Sequence, residues 1–408
     1  MTRNRPVASI TPLGRPRLPA LPALTGVRFL AALHVVLFHY GHEAFNGAPR
    51  AVQAILATGP AAVGLFYVLS GAVLVYSCTG ADGALSSTRE GFWRARFARI
   101  YPVYLFALIL DAPFFVSGLL KTHGAADAWP WGVGLGLAAL VLAQAWTPLT
   151  VFAWNTPGWS LSVEAFFYGL FPSLVRRIRC QSTGDLVRYV ATFFVAALIP
   201  PLVVTAVELT QSPLLDARFP AGAGGLDVHT WIVRFLGFSP IARLPEFLIG
   251  IAVGHWLRAR AGRPVDGLVA GCLEAVAVLA LGGALVVLGS QPQWRVWLDS
   301  GILSPIFALL VIALASGTGP FARLLSVRPL QRLGDASYAL YILQEPVLIW
   351  MSVLPVAAWL SPTAFIVVFI GVLVTASLMC QRLIAEPARV WLLAFRQNKS
   401  GSATLALS

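Results

Sequence analysis

Apolar stretches of 16–23 residues recur along this whole chain, and a helix needs about 20 such residues to cross a bilayer. They fall near residues 24–43, 55–78, 100–120, 131–147, 158–175, 188–208, 240–257, 268–288, 302–316, 334–354 and 362–384. Over its 408 residues the chain is 58% hydrophobic and 11% charged, where a soluble domain carries about a quarter charged residues. Its mean hydropathy is +0.77. The pattern predicts an all-α, polytopic membrane helix bundle. The opening stretch, Met1 to Leu24, is broken by Arg and Pro, and no apolar core precedes a small-residue cleavage site, so it does not read as a signal peptide. It is expected to be a disordered basic cytoplasmic tail over 1–23, followed by one membrane domain over 24–390 and a second cytoplasmic tail over 391–408.

Placement of charge sets the expected topology. The net charge of +12 falls in short clusters between apolar runs, as cytoplasmic loops require. No soluble basic domain exists to hold nucleic acid. Placing the clusters at Arg3–Arg17, Arg89–Arg99, Arg176–Arg188, Arg258–Arg263, Arg323–Arg332 and Arg382–Lys399 all in the cytoplasm demands an even number of crossings between neighbours. Every interval obeys except Arg99 to Arg176, which contains three apolar segments. One of the three must therefore fail to cross. The shorter, glycine-rich 131–147 is favoured, with 158–175 as the alternative. The expectation is ten spans plus a partial or re-entrant segment, both termini inside, in the cell membrane. The four cysteines lack ligand spacing, so no metal site is expected.

Four stretches carry chemistry. In "LTGVRFLAALHVVLFHYGHE", Arg28 and His39 are eleven residues apart, three turns plus about 20°, and so share a helix face about 16 Å apart along the axis. His34 points about 120° away from that face. An ionisable group at membrane depth marks a pathway or a reaction. In "FWRARFARIYPVY", Arg96 and Arg99 are neighbours on one face at a helix start, which suits phosphate through bidentate hydrogen bonds and the helix dipole. In "NTPGWSLSVEAFFYGLFP", Ser160, Glu164 and Tyr168 are spaced by single turns, and a membrane-buried carboxylate needs such partners. In "LGDASYALYILQEPV", Tyr338 and Tyr341 share a face ahead of Gln344. Walker loops, dinucleotide fingerprints and nucleophile elbows are absent.

Together with "FYVLSGAVL" (Phe66 to Leu74) and "IAEPAR", these stretches resemble the acyltransferase-3 family, the bacterial integral-membrane O-acyltransferases, over Leu24 to Arg389. The resemblance implies about ten membrane helices and acyl transfer to sugars of cell-envelope polysaccharides or to macrolide-like natural products. It further implies that Arg28 and His39 are the family's essential Arg and His, that Arg96 and Arg99 are its donor-associated pair, and that Glu164 is its motif glutamate. Gln344 departs from the His that the family often has there.

The resulting expectation is an enzyme. Acyl-CoA is its co-substrate, no cofactor is tightly bound, and the acceptor is a hydroxyl-bearing sugar or natural product. Catalysis falls to His39, Arg28 and Glu164, with His39 as general base and Glu164 or Arg28 orienting it or compensating charge. Arg96 and Arg99 hold the donor, while Ser160, Tyr168, Tyr338 and Tyr341 meet substrate. A proton-coupled exporter using His39 and Glu164 is the rival reading. The missing internal repeat and the paired arginines speak against it.

Overall fold

The computed structural model describes residues 18–80, 82–210, 228–263, 265–291, 294–298, 300–354 and 359–394. Most of the two expected tails, and residues 211–227 of the connection between the sixth and seventh apolar stretches, lie outside the described residues. The principal helices are α1 (Pro22–Tyr40), α2 (Ala61–Cys78), α3 (Arg89–Leu140), α4 (Trp159–Arg177), α5 (Thr183–Ala197), α6 (Leu244–Ala259), α7 (Gly267–Gly289), α8 (Ser304–Ala315), α9 (Ser337–Val353) and α10 (Pro362–Cys380). Among the described residues the only strand-like pairing is a single bridge between Thr79 and Leu85.

Among the described residues six helical stretches are long and apolar enough to cross a membrane, built on α1, α2, α3, α5, α7 and α10. Two of the helices below that standard, α4 and α9, carry residues of the expected chemistry. α4 has the length, at 19 residues, but carries Glu164, Arg176 and Arg177. α6, α8 and α9 have 16, 12 and 17 residues. Such short elements are tolerated because the rest of the bundle covers them. The apolar rim has the opposite character. Along α7 only Ala270, Glu274 and Ala277 are buried, and Leu268, Leu279 and Val287 stand fully outward, the surface that lipid rather than water would cover.

The crossing parity is explained by a break in α3. Gly124 sits at φ 72°, a left-handed conformation that only glycine adopts cheaply, and there the helix turns on itself. The returning limb, 125–140, comes back only as far as Tyr101 and Tyr104, whose hydroxyls donate to the carbonyls of Leu140 and Ala139 at 3.0 Å each. It stops about three to four turns short of the start of α3. Gln144 then closes the turn, donating to Gly158 O at 2.8 Å and to Tyr104 Oη at 3.1 Å. α4 begins at once. Residues 125–140 of the favoured segment thus form the returning limb of a helical hairpin, and 159–177 form a separate helix.

At the centre α2 lies against α6 with almost no space between the backbones. A Cβ on Gly71 would meet Phe247 O at 2.4 Å, and one on Gly250 would meet Val68 O at 2.3 Å. Small residues let helices approach this closely, and dispersion and Cα–H contacts then supply the association that water cannot. Arg258, at the end of α6, locks the pair by donating to Tyr76 O at 2.8 Å and Gly80 O at 3.0 Å. Gly250→Val is expected to cost at least the 1–3 kcal/mol of ordinary overpacking, read as loss of monodisperse protein or a large fall in melting temperature in detergent. Gly283→Ala, on the open face of α7, should leave the melt unchanged or raise it slightly.

Candidate active site

Helix polarity orders the residues by depth. α1, α3 and α9 start, and α2, α4 and α6 end, at the end of the bundle that carries Arg94, Arg96, Arg99, Arg176, Arg177 and Arg258. From this basic end a cavity of about 90 Å³ runs between α1, α2, α3, α4 and α9. Its lining includes Arg28, Arg96, Arg99, Ser160, Glu164, Tyr168, Tyr338 and Tyr341. Eight of the nine residues singled out from the sequence therefore face one space, though they come from four helices far apart in the chain.

Glu164 organises the middle of the cavity. Tyr168, one turn further along α4, donates its hydroxyl to Glu164 Oε1, and Ser70 Oγ, from α2, donates to the same oxygen at 3.1 Å. Arg28, in the second turn of α1, feels the charges of Glu164, Arg99 and Asp335. The carboxyl group is thus oriented by two hydroxyls within a cavity that Arg28, Arg96 and Arg99 also line. The single-turn spacing predicted the partnership with Tyr168. Ser70 was not foreseen, although it lies inside the "FYVLSGAVL" stretch.

At the basic end Arg96 stands 5.8 Å over the ring of Phe92. Arg28 and Val73 also line a second, wider groove of about 1160 Å³, which Arg179 and Arg258 border. The far end is closed. Tyr341 meets Phe66 edge-to-face at 6.2 Å, while Ser160 Oγ donates to Pro157 O. Tyr338 is held by donating to Ile100 O at 2.7 Å.

His39 lies elsewhere. α1 stops at Tyr40, so His39 occupies the last turn of the helix, exposed and away from the basic end, rather than deep in a longer helix. It does not line the cavity. Its Nδ1 is 2.9 Å from Val35 O. A carbonyl only accepts, so in the neutral ring Nδ1 carries the proton and Nε2 holds the basic lone pair. Gln344 is fully buried and donates to Tyr341 O. Beside it, Glu345 accepts from the Thr156 backbone N–H and hydroxyl, tying α9 to the start of α4.

A second charged group was missed by the sequence reading. Arg243 and Glu246, each 2% exposed, form an ion pair behind the α2 wall. Arg243 Nη2 donates to Glu246 Oε1 at 3.2 Å. Nε is 2.9 Å from Oε2 but off the line of its N–H, so that contact is ionic. The guanidinium lies 5.4 Å from the ring centre of Tyr67, a cavity-wall residue. Room for the carboxylate depends on Gly64, where a Cβ would fall 2.3 Å from Glu246 Oε1. The i,i+3 spacing in "RLPE" was the available signal. The four cysteines are free thiols, and among the described residues no group of three or more His, Cys, Asp or Glu side chains is placed to hold a metal.

The acyltransferase domain family matches residues 21–380, nearly the whole membrane bundle. The chain belongs to the acyltransferase-3 family. The acyltransferase MdmB of Streptomyces mycarofaciens is 33% identical over 339 residues, 80% of this chain and 79% of that protein. The O-acetyltransferase OatA of Staphylococcus aureus is 22% identical over 351 residues, 81% of this chain but 51% of OatA, so the chain spans half the length of that relative. No solved structure matches. Breaking the buried pair with Glu246→Gln should destabilise the protein by about 3–5 kcal/mol, because Arg243 is left as an uncompensated charge. The double change Arg243→Met with Glu246→Leu should recover most of that loss, read as melting temperature in detergent.

Proposed function

We propose that the chain is a membrane O-acyltransferase that moves an acyl group from acyl-CoA to a hydroxyl of a sugar, cell-envelope glycan or macrolide-like natural product. The observation that carries this reading is the cavity that Arg28, Arg96 and Arg99 line toward the basic end and Tyr341 lines at the other. A phosphate-bearing head and a narrow, uncharged arm fit such a shape. Guanidinium groups bind phosphate bidentately, and Arg96 and Arg99 offer two of them on one helix face. In this reading the basic end and both termini face the cytoplasm, where the donor is found.

The axial separation of Arg28 and His39, about 16 Å, is matched to a donor whose head and reactive end are far apart. The phosphates stay with Arg96 and Arg99, the pantetheine passes Arg28 and Glu164, and the thioester reaches the Tyr341 end. There His39 Nε2 takes the proton of the acceptor hydroxyl. The hydroxyl oxygen attacks the thioester carbon, forming the new C–O bond as the carbonyl π pair moves onto oxygen. Collapse restores the carbonyl and breaks the C–S bond, and the departing coenzyme A thiolate recovers the proton from His39. Glu164 offsets one of the three arginine charges when no donor is present.

The protein in nanodiscs, given labelled acetyl-CoA and a panel of glycosylated acceptors, provides the test. Transfer of label to an acceptor hydroxyl is expected. No transfer to any acceptor, with no binding of acetyl-CoA, refutes the reading. Arg96→Ala and Arg99→Ala should each raise the KM for donor about 10- to 100-fold, the worth of a charge-assisted hydrogen bond. His39→Ala should lower kcat by on the order of 10²–10⁴ with little change in donor KM. An unchanged kcat removes His39 from the chemistry.

A further inference from the structure

Most hydroxyls of the residues that line the cavity have a protein partner. Ser70 and Tyr168 donate to Glu164, Ser160 to Pro157 O, Ser337 to Gly334 O and Tyr338 to Ile100 O. The Tyr67 hydroxyl is closed to water and has no hydrogen-bond partner. Tyr67 is 3% exposed, its ring braced edge-to-face on Phe167 at 5.2 Å. Leaving a buried donor unsatisfied costs about 1–3 kcal/mol, so a buried orphan hydroxyl calls for a reason.

The surroundings supply one. Behind Tyr67 stands the Arg243 guanidinium, fixed by Glu246. A phenol next to a buried cation is a strengthened hydrogen-bond donor, and in a dry site its dipole acts on any developing negative charge with little screening. Depth fits as well. Tyr67 is less than two turns from the start of α2, near the Tyr341 end, where the mechanism above brings the thioester. Glu246 balances Arg243, so the wall carries no net charge that would hold an anion in the resting state. Its donor finds a full partner only when the acyl carbonyl arrives.

We propose that the Tyr67 hydroxyl is a catalytic hydrogen-bond donor to the acyl carbonyl oxygen of the bound thioester, and that Arg243, held by Glu246, is the positioning residue that strengthens it. The proposal rests on the acyl-CoA reading. As the acceptor oxygen bonds to the carbonyl carbon and the π pair shifts to the carbonyl oxygen, Tyr67 stabilises that oxygen while keeping its own proton. On C–S cleavage the pair returns and the hydrogen bond weakens. No net proton passes through Tyr67.

Tyr67→Phe removes only the unpartnered oxygen. It is expected to leave the melting temperature unchanged or raised, because no protein hydrogen bond is lost. By contrast Tyr104→Phe, which deletes a hydroxyl with two protein partners, should lower it. With labelled acetyl-CoA in nanodiscs, kcat of Tyr67→Phe should fall by about 10²-fold, as for loss of one oxyanion donor, with donor KM nearly unchanged. The infrared stretch of bound 13C-carbonyl acetyl-CoA should lie lower in wild type than in Tyr67→Phe. Equal kcat and equal stretch in the two proteins overturn the role of Tyr67 while acyl transfer by wild type still stands. A wild type that neither binds nor uses acetyl-CoA overturns both.

Discussion

The structure depends on neutralising charge inside an apolar bundle. Three arginines reach into one cavity, and the carboxylate in their midst is Glu164, oriented by two hydroxyls that point at a single oxygen. A few ångströms of helix away, Arg243 and Glu246 repeat the arrangement in miniature. An isolated charge at the centre of a spanning helix costs roughly 2.5–3.5 kcal/mol on insertion scales, a cost that the Arg243–Glu246 pair offsets directly. This cost explains why the least membrane-like helices, α4, α6 and α9, are the ones packed within the bundle. It also explains why glycines such as Gly64, Gly71 and Gly250 cluster where charged or backbone groups must come close.

Much of this was legible in the chain before any coordinates. Continuous apolar runs fixed the class, and the odd number of them between Arg99 and Arg176 pointed to a segment that turns back. The turn itself was hidden, because it rests on the left-handed conformation of Gly124, one glycine among several in a polar stretch. Single-turn spacing paired Glu164 with Tyr168. The paired arginines of α3 announced themselves by sitting at a helix start.

What stayed hidden has physical reasons too. Arg243 and Glu246 border an apolar run and contain a proline between them, so they read as the rim of a helix. Only packing against α2 shows that they are interior. Ser70 gives no sign of its role, because its partner is 94 residues away. His39 was placed too deep, since the apolar pattern continues to residue 43 while the helix ends at Tyr40. Its position in the last turn separates it from the other eight residues and divides the site into an arginine-lined cavity and a terminal histidine.

The central claim is that the arginine-lined cavity receives the acyl arm of coenzyme A. A photoreactive acyl-CoA with a diazirine at the acyl terminus, cross-linked in nanodiscs and mapped by peptide mass spectrometry, tests it most directly. The account predicts labelling confined to the closed end, at Val63, Phe66 and Tyr341, and abolished by excess acetyl-CoA. Labels spread over the lipid-facing surface of α7, unaffected by competitor, would contradict it.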